Sequence, residues 1–308
     1  KAVKEVQADF RLALTGTPVE NRLSELWSIF DYLMPGFLYS YKKFREEVEI
    51  PAVQNSDEDA MKRLQKMIRP FVLRRLKKEV LTDLPDKLEE NMFVQLTGEQ
   101  QKLYDAHVKR MMLMLDKQSE EEFKTSKITI LAELTKLRQI CCDPHLIYEN
   151  YKGQSAKLDT CMELILSGVE AGHKILLFSQ FTSMLELIGA RMKKEGISYY
   201  QLTGETSKED RLKLVQAFHK DETPVFLISL KAGGTGLNLT AADMVIHYDP
   251  WWNVAAQNQA TDRAYRIGQE KQVSVFKLIT RDTIEENILK LQESKRLLAD
   301  QIVSEGTP

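Results

Sequence analysis

Two arginines three positions apart, Arg263 and Arg266, stand in the run Gln259-Ala260-Thr261-Asp262-Arg263-Ala264-Tyr265-Arg266-Ile267-Gly268-Gln269. On a helix that spacing puts both guanidiniums on one face, with Gln259 about one turn earlier. Adjacent like charges cost energy unless anions meet them. The chemistry that uses such a pair is phosphoryl transfer, in which a guanidinium stabilises charge developing on the transferred group. The plain alternative is a solvated helix whose arginines pair with Asp262 or a nearby glutamate. Four further segments each follow a short apolar run: Ser179-Gln180-Phe181; Thr203-Gly204-Glu205-Thr206; Ser229, Lys231, Gly233-Gly234-Thr235-Gly236 and Asn238; and Asp249-Pro250-Trp251-Trp252-Asn253. Hydroxyls, amides, backbone N–H groups and lysine are what contact a nucleic-acid backbone, and glycines let amides approach an anion closely. An exposed tryptophan beside them can stack on a base. A tight turn without a ligand is the plain account of the glycines, and core packing of Trp251 and Trp252, but the agreement of four strand ends shifts the reading toward a ligand surface. The sequence contains no G-x-x-x-x-G-K-[ST] loop. It also has no Asp-Glu pair after a strand suited to hold Mg²⁺. The arginines therefore have no phosphate cradle of their own, and the expectation is that the cradle sits on another chain or segment.

The elements that must carry these residues change character along the chain. From about residue 155, helix and strand patterns alternate strictly, with strands expected at Lys174–Ser179, Ile197–Leu202, Pro224–Leu230, Asp243–Tyr248 and Gln272–Ile279. Ser207 with Asp210 three residues on is close to a capping box. Asn253 to Tyr265 is expected as a helix and Thr283 to Val303 as a long final one. Continuous apolar strands between helices mark a parallel sheet buried on both faces, hence a doubly wound α/β domain whose ligands lie beyond the strands' carboxyl ends. Before residue 150 the pattern is mostly helical, with Glu89 to Leu96 the one strand expected there. Near the start, Arg11 to Leu14 is a strand candidate running into the turn composition Thr15-Gly16-Thr17-Pro18.

Composition sets the frame. At 308 residues the chain is long enough for about two domains. Charged residues make up 29% and the net charge is −2, which excludes disorder of the whole chain and a generally basic coat, though not a local basic groove. With 14 glycines and 9 prolines, the chain falls below the usual share of about 12%, as expected for many helices. No apolar run approaches the roughly 18 residues of a membrane span. Cys141, Cys142 and Cys161 form neither a disulfide framework nor a zinc spacing, the pattern of a reducing compartment.

Taken together, these segments resemble the Swi/Snf-type ATPases, a branch of the superfamily-two helicases. Leu14-Thr15-Gly16-Thr17-Pro18 with Glu20-Asn21 is similar to motif III of that family. Ile175–Phe181 is similar to motif IV, Leu202-Thr203-Gly204 to the segment after it, and Ser229–Thr240 to motif V. Asp249–Asn253 resembles the extension of motif V, and Gln259–Gln269 motif VI. Thr235 and Val254 depart from the commoner residues at their positions.

The resemblance implies a RecA-like doubly wound sheet. Residues 1–20 would be the tail of a first RecA-like lobe, 21–150 a helical protrusion and linker region, and 151–308 the second lobe with a C-terminal brace helix. It implies a double-stranded-DNA-dependent ATPase and translocase that displaces or remodels DNA-bound protein. ATP and Mg²⁺ would be held mainly by an upstream lobe of the same protein. Arg263 and Arg266 would act as arginine fingers, with Gly236, Asn238 and Gln259 near the nucleotide. Ser179, Gln180, Thr203, Ser229, Lys231 and Gly233 would hold phosphates of the tracked strand, and Trp252 would probe the minor groove. No membrane partner is implied. The compartment would be the nucleoid for a prokaryotic source, which the wording favours, or the nucleus for a eukaryotic one. The upstream motifs being absent, the chain is expected to be a piece of a longer enzyme and inactive alone. Two rivals stand beside this reading: a nucleic-acid-binding module without catalysis, and a lobe of another superfamily-two enzyme acting on RNA or unwinding duplexes.

Overall fold

The computed structural model describes residues 2–15, 22–55, 57–73, 81, 84–116, 120–233 and 236–303. Gly16 to Asn21, together with Gly234 and Thr235, lie outside the described residues. The chain divides into two compact units. One comprises Lys1–Val80, Asn253–Ala255 and Leu291–Pro308, and the other Leu81–Trp252 with Ala256–Lys290.

The second unit is built on a six-stranded, all-parallel sheet. Its strands are β1 (Lys87–Val94), β2 (Ile175–Ser179), β3 (Tyr199–Leu202), β4 (Val225–Ser229), β5 (Met244–His247) and β6 (Val273–Thr280), in the order β1-β6-β5-β2-β4-β3. Strands β2, β4 and β5 are buried along their whole length, which is why they read as unbroken apolar runs. Alternate side chains enter opposite faces. Ile175, Leu177, Val225, Leu227, Met244 and Ile246 pack with Met162, Ile165, Met184 and Ile188 of helices Ala156–Glu170 and Thr182–Lys194. Leu176, Phe178, Phe226, Ile228 and Val245 pack on the other face with Phe218, Leu239, Ala260 and Ala264. Helix Ala156–Glu170 comes so near the sheet that a Cβ on Gly168 would lie 2.8 Å from the Met244 sulfur. Ser207 caps helix Lys208–Lys220 as its spacing predicts, its Oγ accepting from the Asp210 N–H at 3.1 Å.

Strand β1 is the departure from the simple alternation. Helices Gly98–Asp116, Glu120–Cys142 and Ala156–Glu170 separate it from the next strand of the sheet, so no simple β–α rhythm announces it. Its charged residues are met across the strand boundary: the Lys277 ammonium lies 2.6 Å from a Glu89 carboxylate oxygen. These contacts hold the Glu89 carboxyl down at about 2, against burial that pushes it up.

The start of the final helix, Ile284–Val303, is fastened inside this unit. Lys157 and Glu285 are wholly buried and paired, with Nζ 2.6 Å from Oε1. Glu285 Oε2 also accepts from the Thr280 N–H and hydroxyl, at 2.8 and 2.9 Å. The Tyr104 hydroxyl accepts from the Ile284 N–H at 2.8 Å.

The first unit has its own core of Leu23, Leu26, Phe30, Phe44, Met61, Leu64 and Ile68 around helices Leu23–Leu33 and Glu58–Ile68. Asp57 caps the latter by accepting from the Asp59 and Ala60 N–H groups at 2.9 and 3.1 Å. Among the described residues, no helix is long and apolar enough to cross a membrane.

Candidate functional site

Parallel pairing puts the expected site residues at one level. Ser179 and Ser229 are register partners at the ends of β2 and β4. Leu202 pairs with Ile228, so Thr203 leaves β3 beside Ser229. Phe178 pairs with His247, so β5 delivers Tyr248 and Asp249 to the same edge. The carboxyl ends of four strands thus share one rim, the place where a doubly wound sheet carries its ligands.

The rim has an inner and an outer layer. Ser179 and Ser229 are 1% and 3% exposed, so their hydroxyls face inward. Ser179 Oγ donates to Asp249 Oδ1 at 2.6 Å and accepts from the Phe181 N–H at 3.1 Å. Ser229 Oγ accepts weakly from the Ala232 N–H at 3.4 Å. Lys231, Gly236 and Asn238 are exposed, whereas Gln180 and Thr203 are half-buried. Gly233 closes the one-turn helix Leu230–Gly233. The Thr203 loop is held by Arg211, whose guanidinium donates to the Thr206 carbonyl at 2.9 Å and the Thr203 carbonyl at 3.3 Å.

Asp249 collects much of the inner layer. It accepts from Ser179 and from the Gln180 N–H at 3.3 Å, and its Oδ2 lies 3.7 Å from an Arg138 nitrogen. Burial pushes its carboxyl up to about 6, against the downward pull of Arg138 and Ser179. Trp251 and Trp252 follow. Both are half-buried, and Trp252 packs beside Leu96, Tyr104, Leu137, Ile140 and Ile284. The expectation of an open ring at this turn thus meets a partly packed one. Apolar neighbours for it come from sequence positions far upstream, which no local pattern could disclose.

The arginine segment is not a helix. Helix Val254–Thr261 stops before it, and the chain continues in turns. The carbonyls that a further helical turn would use are taken: Arg263 O accepts from the Leu239 N–H at 2.9 Å, and Ala264 O from Gln269 Nε2 at 3.1 Å. Gln269 Nε2 also reaches the Ala242 and Thr240 carbonyls at 2.8 and 3.2 Å, and Arg266 donates to the Leu237 carbonyl at 3.4 Å. Gly236–Thr240 and Asp262–Gln269 are therefore laced into one piece, which brings Gly236 and Asn238 into the same assembly as Arg263 and Arg266. Gln259 is exposed, two residues before the helix ends. Burial, and after it the charge of Arg266, holds the Arg263 guanidinium below the usual arginine range, while Asp262 pulls the other way. Such a like-charged pair is relieved by an anion.

Beneath this turn lies a residue that sequence reading missed. His247, on β5, bonds the Thr261 hydroxyl through Nε2 at 2.8 Å and stacks on Phe178 with ring centres 5.6 Å apart. Burial drives its pKa down to about 3, so it is neutral. Its signal was available only as a lone polar residue ending an apolar strand. Arg138, Arg211 and Gln269 were also missed as structural partners, because each acts on main-chain carbonyls.

Comparison with known proteins agrees with this geometry. Residues 1–146 match the SNF2-related domain, and residues 156–268 the helicase conserved C-terminal domain. A relative is YwqA of Bacillus subtilis, which carries the name of an ATP-dependent helicase/translocase. It is 44% identical over 98% of this chain, which spans 33% of its length. The Sulfolobus solfataricus SWI2/SNF2 ATPase core, solved in complex with dsDNA, is 39% identical with a TM-score of 0.61, covering 99% of this chain and 65% of its own. The C-terminal domain of the Sulfolobus SWI2/SNF2 ATPase is 34% identical with a TM-score of 0.59, covering 71% of this chain and 94% of its own. A RecA-like sheet, a rim that gathers the motif residues and two successive domain matches leave one assignment: the chain belongs to the SWI2/SNF2 family and contains its helicase C-terminal domain.

Proposed function

We propose that the second unit is the second motor lobe of an ATP-dependent double-stranded-DNA translocase, which remodels or displaces protein bound to the DNA. The observation that carries this reading is the lacing of the Arg263–Arg266 turn to the Gly236–Thr240 segment. A change at the nucleotide would then be felt directly by the loop that leads back to Ser229 and Lys231. Arg263 and Arg266 fit a polyphosphate, whose negative charge would offset the repulsion that Arg266 exerts on Arg263. They would stabilise charge on the transferred phosphoryl group, with Gly236, Asn238 and Gln259 lining their side of the nucleotide. Gln180, Thr203, Lys231 and Gly233 would offer the outer contacts to one DNA strand, with Ser179 and Ser229 supporting them from beneath and Trp252 reaching the minor groove. Among the described residues, no three His, Cys, Asp or Glu side chains converge as a metal site. Mg²⁺ and the phosphate cradle would be held mainly by an upstream RecA-like lobe of the whole protein.

The test compares ATP hydrolysis by the whole protein with that of residues 1–308 alone, each with duplex DNA, single-stranded DNA and RNA. Turnover confined to the whole protein and stimulated most by duplex is the expected result. Duplex-stimulated turnover by the chain alone would refute the divided site. Stimulation by RNA, or strand separation, would move the protein to another branch of superfamily two. DNA binding without turnover in the whole protein would reduce it to a binding module.

A further inference from the structure

Arg138 is 4% exposed, near the end of helix Glu120–Cys142, and lies more than a hundred residues before the turn it touches. Its guanidinium carbon is 5.2 Å from the Trp251 ring centre, 5.7 Å from Trp252 and 5.6 Å from Phe181. One of its nitrogens donates to the Pro250 carbonyl at 2.9 Å and stands 3.7 Å from Asp249. One side chain thus grips the Asp249–Trp252 turn by its carboxylate, by a main-chain carbonyl and by both indole rings.

A buried ion pair is poor value for stability alone, since apolar residues of similar volume often do as well. This pair is also incompletely made. Arg138 Nε, Asp249 Oδ2 and Gln180 Nε2 are buried without hydrogen-bond partners among the described residues. A fully made guanidinium–carboxylate contact has N···O distances of about 2.7–2.9 Å, so the pair can close by roughly 1 Å. Closure would give Asp249 Oδ2 the partner it lacks, and would carry the Trp251–Trp252 turn with it.

We propose that Arg138 is a positioning residue for the duplex-DNA surface: it sets the Trp251–Trp252 turn against the strand-end rim and ties that turn to the helix Glu120–Cys142. The inference rests on the reading of the rim as a DNA surface. Arg138 itself touches no DNA. Its contribution is that the rings and the Asp249 carboxylate are already oriented when the duplex arrives, so that less ordering is left to be done at binding.

The experiment uses the whole protein with Arg138→Met, Arg138→Lys and Asp249→Asn. ATPase is titrated with duplex DNA, and melting temperature and tryptophan emission are followed with and without duplex. Arg138→Met is expected to raise the duplex concentration for half-maximal stimulation about tenfold, with the maximal rate changed less than about twofold. Arg138→Lys restores the charge but not the planar fork, so it should recover only part of that loss. Asp249→Asn should shift the same concentration, and its combination with Arg138→Lys should add little, because the two residues form one contact. The emission change on adding duplex should be smaller in each variant. A half-maximal duplex concentration equal to wild type in Arg138→Lys and Asp249→Asn would overturn the proposal, whatever Arg138→Met does. So would loss of all activity together with folding in all three. A wild-type protein that duplex DNA does not stimulate would instead remove the reading beneath it.

Discussion

Arg138 and the pair Arg263–Arg266 are the same side chain deployed in opposite ways within one unit. Arg138 is enclosed by three aromatic rings, a carbonyl and a carboxylate. Arg263 and Arg266 stand half-buried next to each other on a turn held by its neighbours' carbonyls, where the charge of Arg266 adds to burial in disfavouring that of Arg263. A guanidinium whose charge is answered inside the fold can shape the protein but has nothing left for a ligand. One that shares a rim with a second guanidinium carries a repulsion that an incoming anion offsets. Chemistry should therefore fail when the second kind is removed, and geometry when the first kind is.

The largest effect should come from the pair at the rim. In the whole protein, Arg263→Ala or Arg266→Ala should lower ATP turnover about a thousandfold or more, with a much smaller change in KM, because the charge they meet exists mainly in the transition state. The double substitution should fall short of the product of the singles. Steady-state kinetics showing near-normal turnover in both singles would erase the contrast and make the pair structural.

Next is a buried charge that is fully answered. Lys157→Met leaves Glu285 buried without its partner and should cost about 3–5 kcal/mol, read as a fall of about 10 °C or more in melting temperature. Replacing both by apolar residues should recover much of the loss. If Lys157→Met melts like wild type, burial in this unit is less demanding than the contrast requires.

Acid should expose the buried groups in a definite order. Folded His247 stays neutral down to about pH 3, whereas in the unfolded chain it takes up a proton near 6.5. Its contribution is therefore present above about 6.5 and is lost as pH falls towards 3. Glu89, held at about 2, loses its contribution between its ordinary value and that point. Asp249 works the other way, since its carboxyl, raised to about 6, favours the fold more as it is protonated below that pH. The His247 shift is the larger: alone it would lower stability by about 3 kcal/mol between pH 6.5 and pH 4, of which the Asp249 gain offsets most. Thermal melts of His247→Gln should show stability rising towards pH 4 where wild type falls slightly, and a profile like wild type's would assign the acid sensitivity elsewhere.

Smallest is Trp252→Ala. Half-burial limits the packing loss to about 1–2 kcal/mol, and grip on duplex should weaken by a comparable 1–3 kcal/mol. A folded variant that hydrolyses ATP at saturating duplex but displaces a triplex poorly supports its place beside Arg138. A variant that loses every activity in step with its melting temperature would make the ring part of the core.

How far the sequence disclosed this molecule depends on where each partner lies. Strands β2, β4 and β5 are apolar throughout because both faces are covered, and that property is local. The rim followed from what comes after each strand. Strand β1 was visible as a strand but not as a member of the sheet, since its partner β6 is far along the chain. The helix was expected to run through Tyr265. Its stop at Thr261 depends on Leu239 and Gln269 claiming carbonyls, which propensity does not register. Arg138 looked like one more polar residue on a helix, because the rings that enclose it are distant in sequence.

That distance between β1 and β6 also sets a timetable. Glu89 meets Lys277 across a separation of 188 positions. At roughly 5–20 residues per second of synthesis, the gap amounts to about 10–40 s. Through that interval the nascent segment has no sheet to join, and it carries Leu88 and Phe93, which remain 56% and 42% exposed even at the finished edge. An apolar strand waiting so long invites pairing with neighbouring chains on the same polysome. Lys87, Glu89 and Glu90 interrupt it with charge, the means by which exposed strands discourage such partners. The ion pairs that close the sheet are thus made from residues that first keep its last-fitted strand to itself.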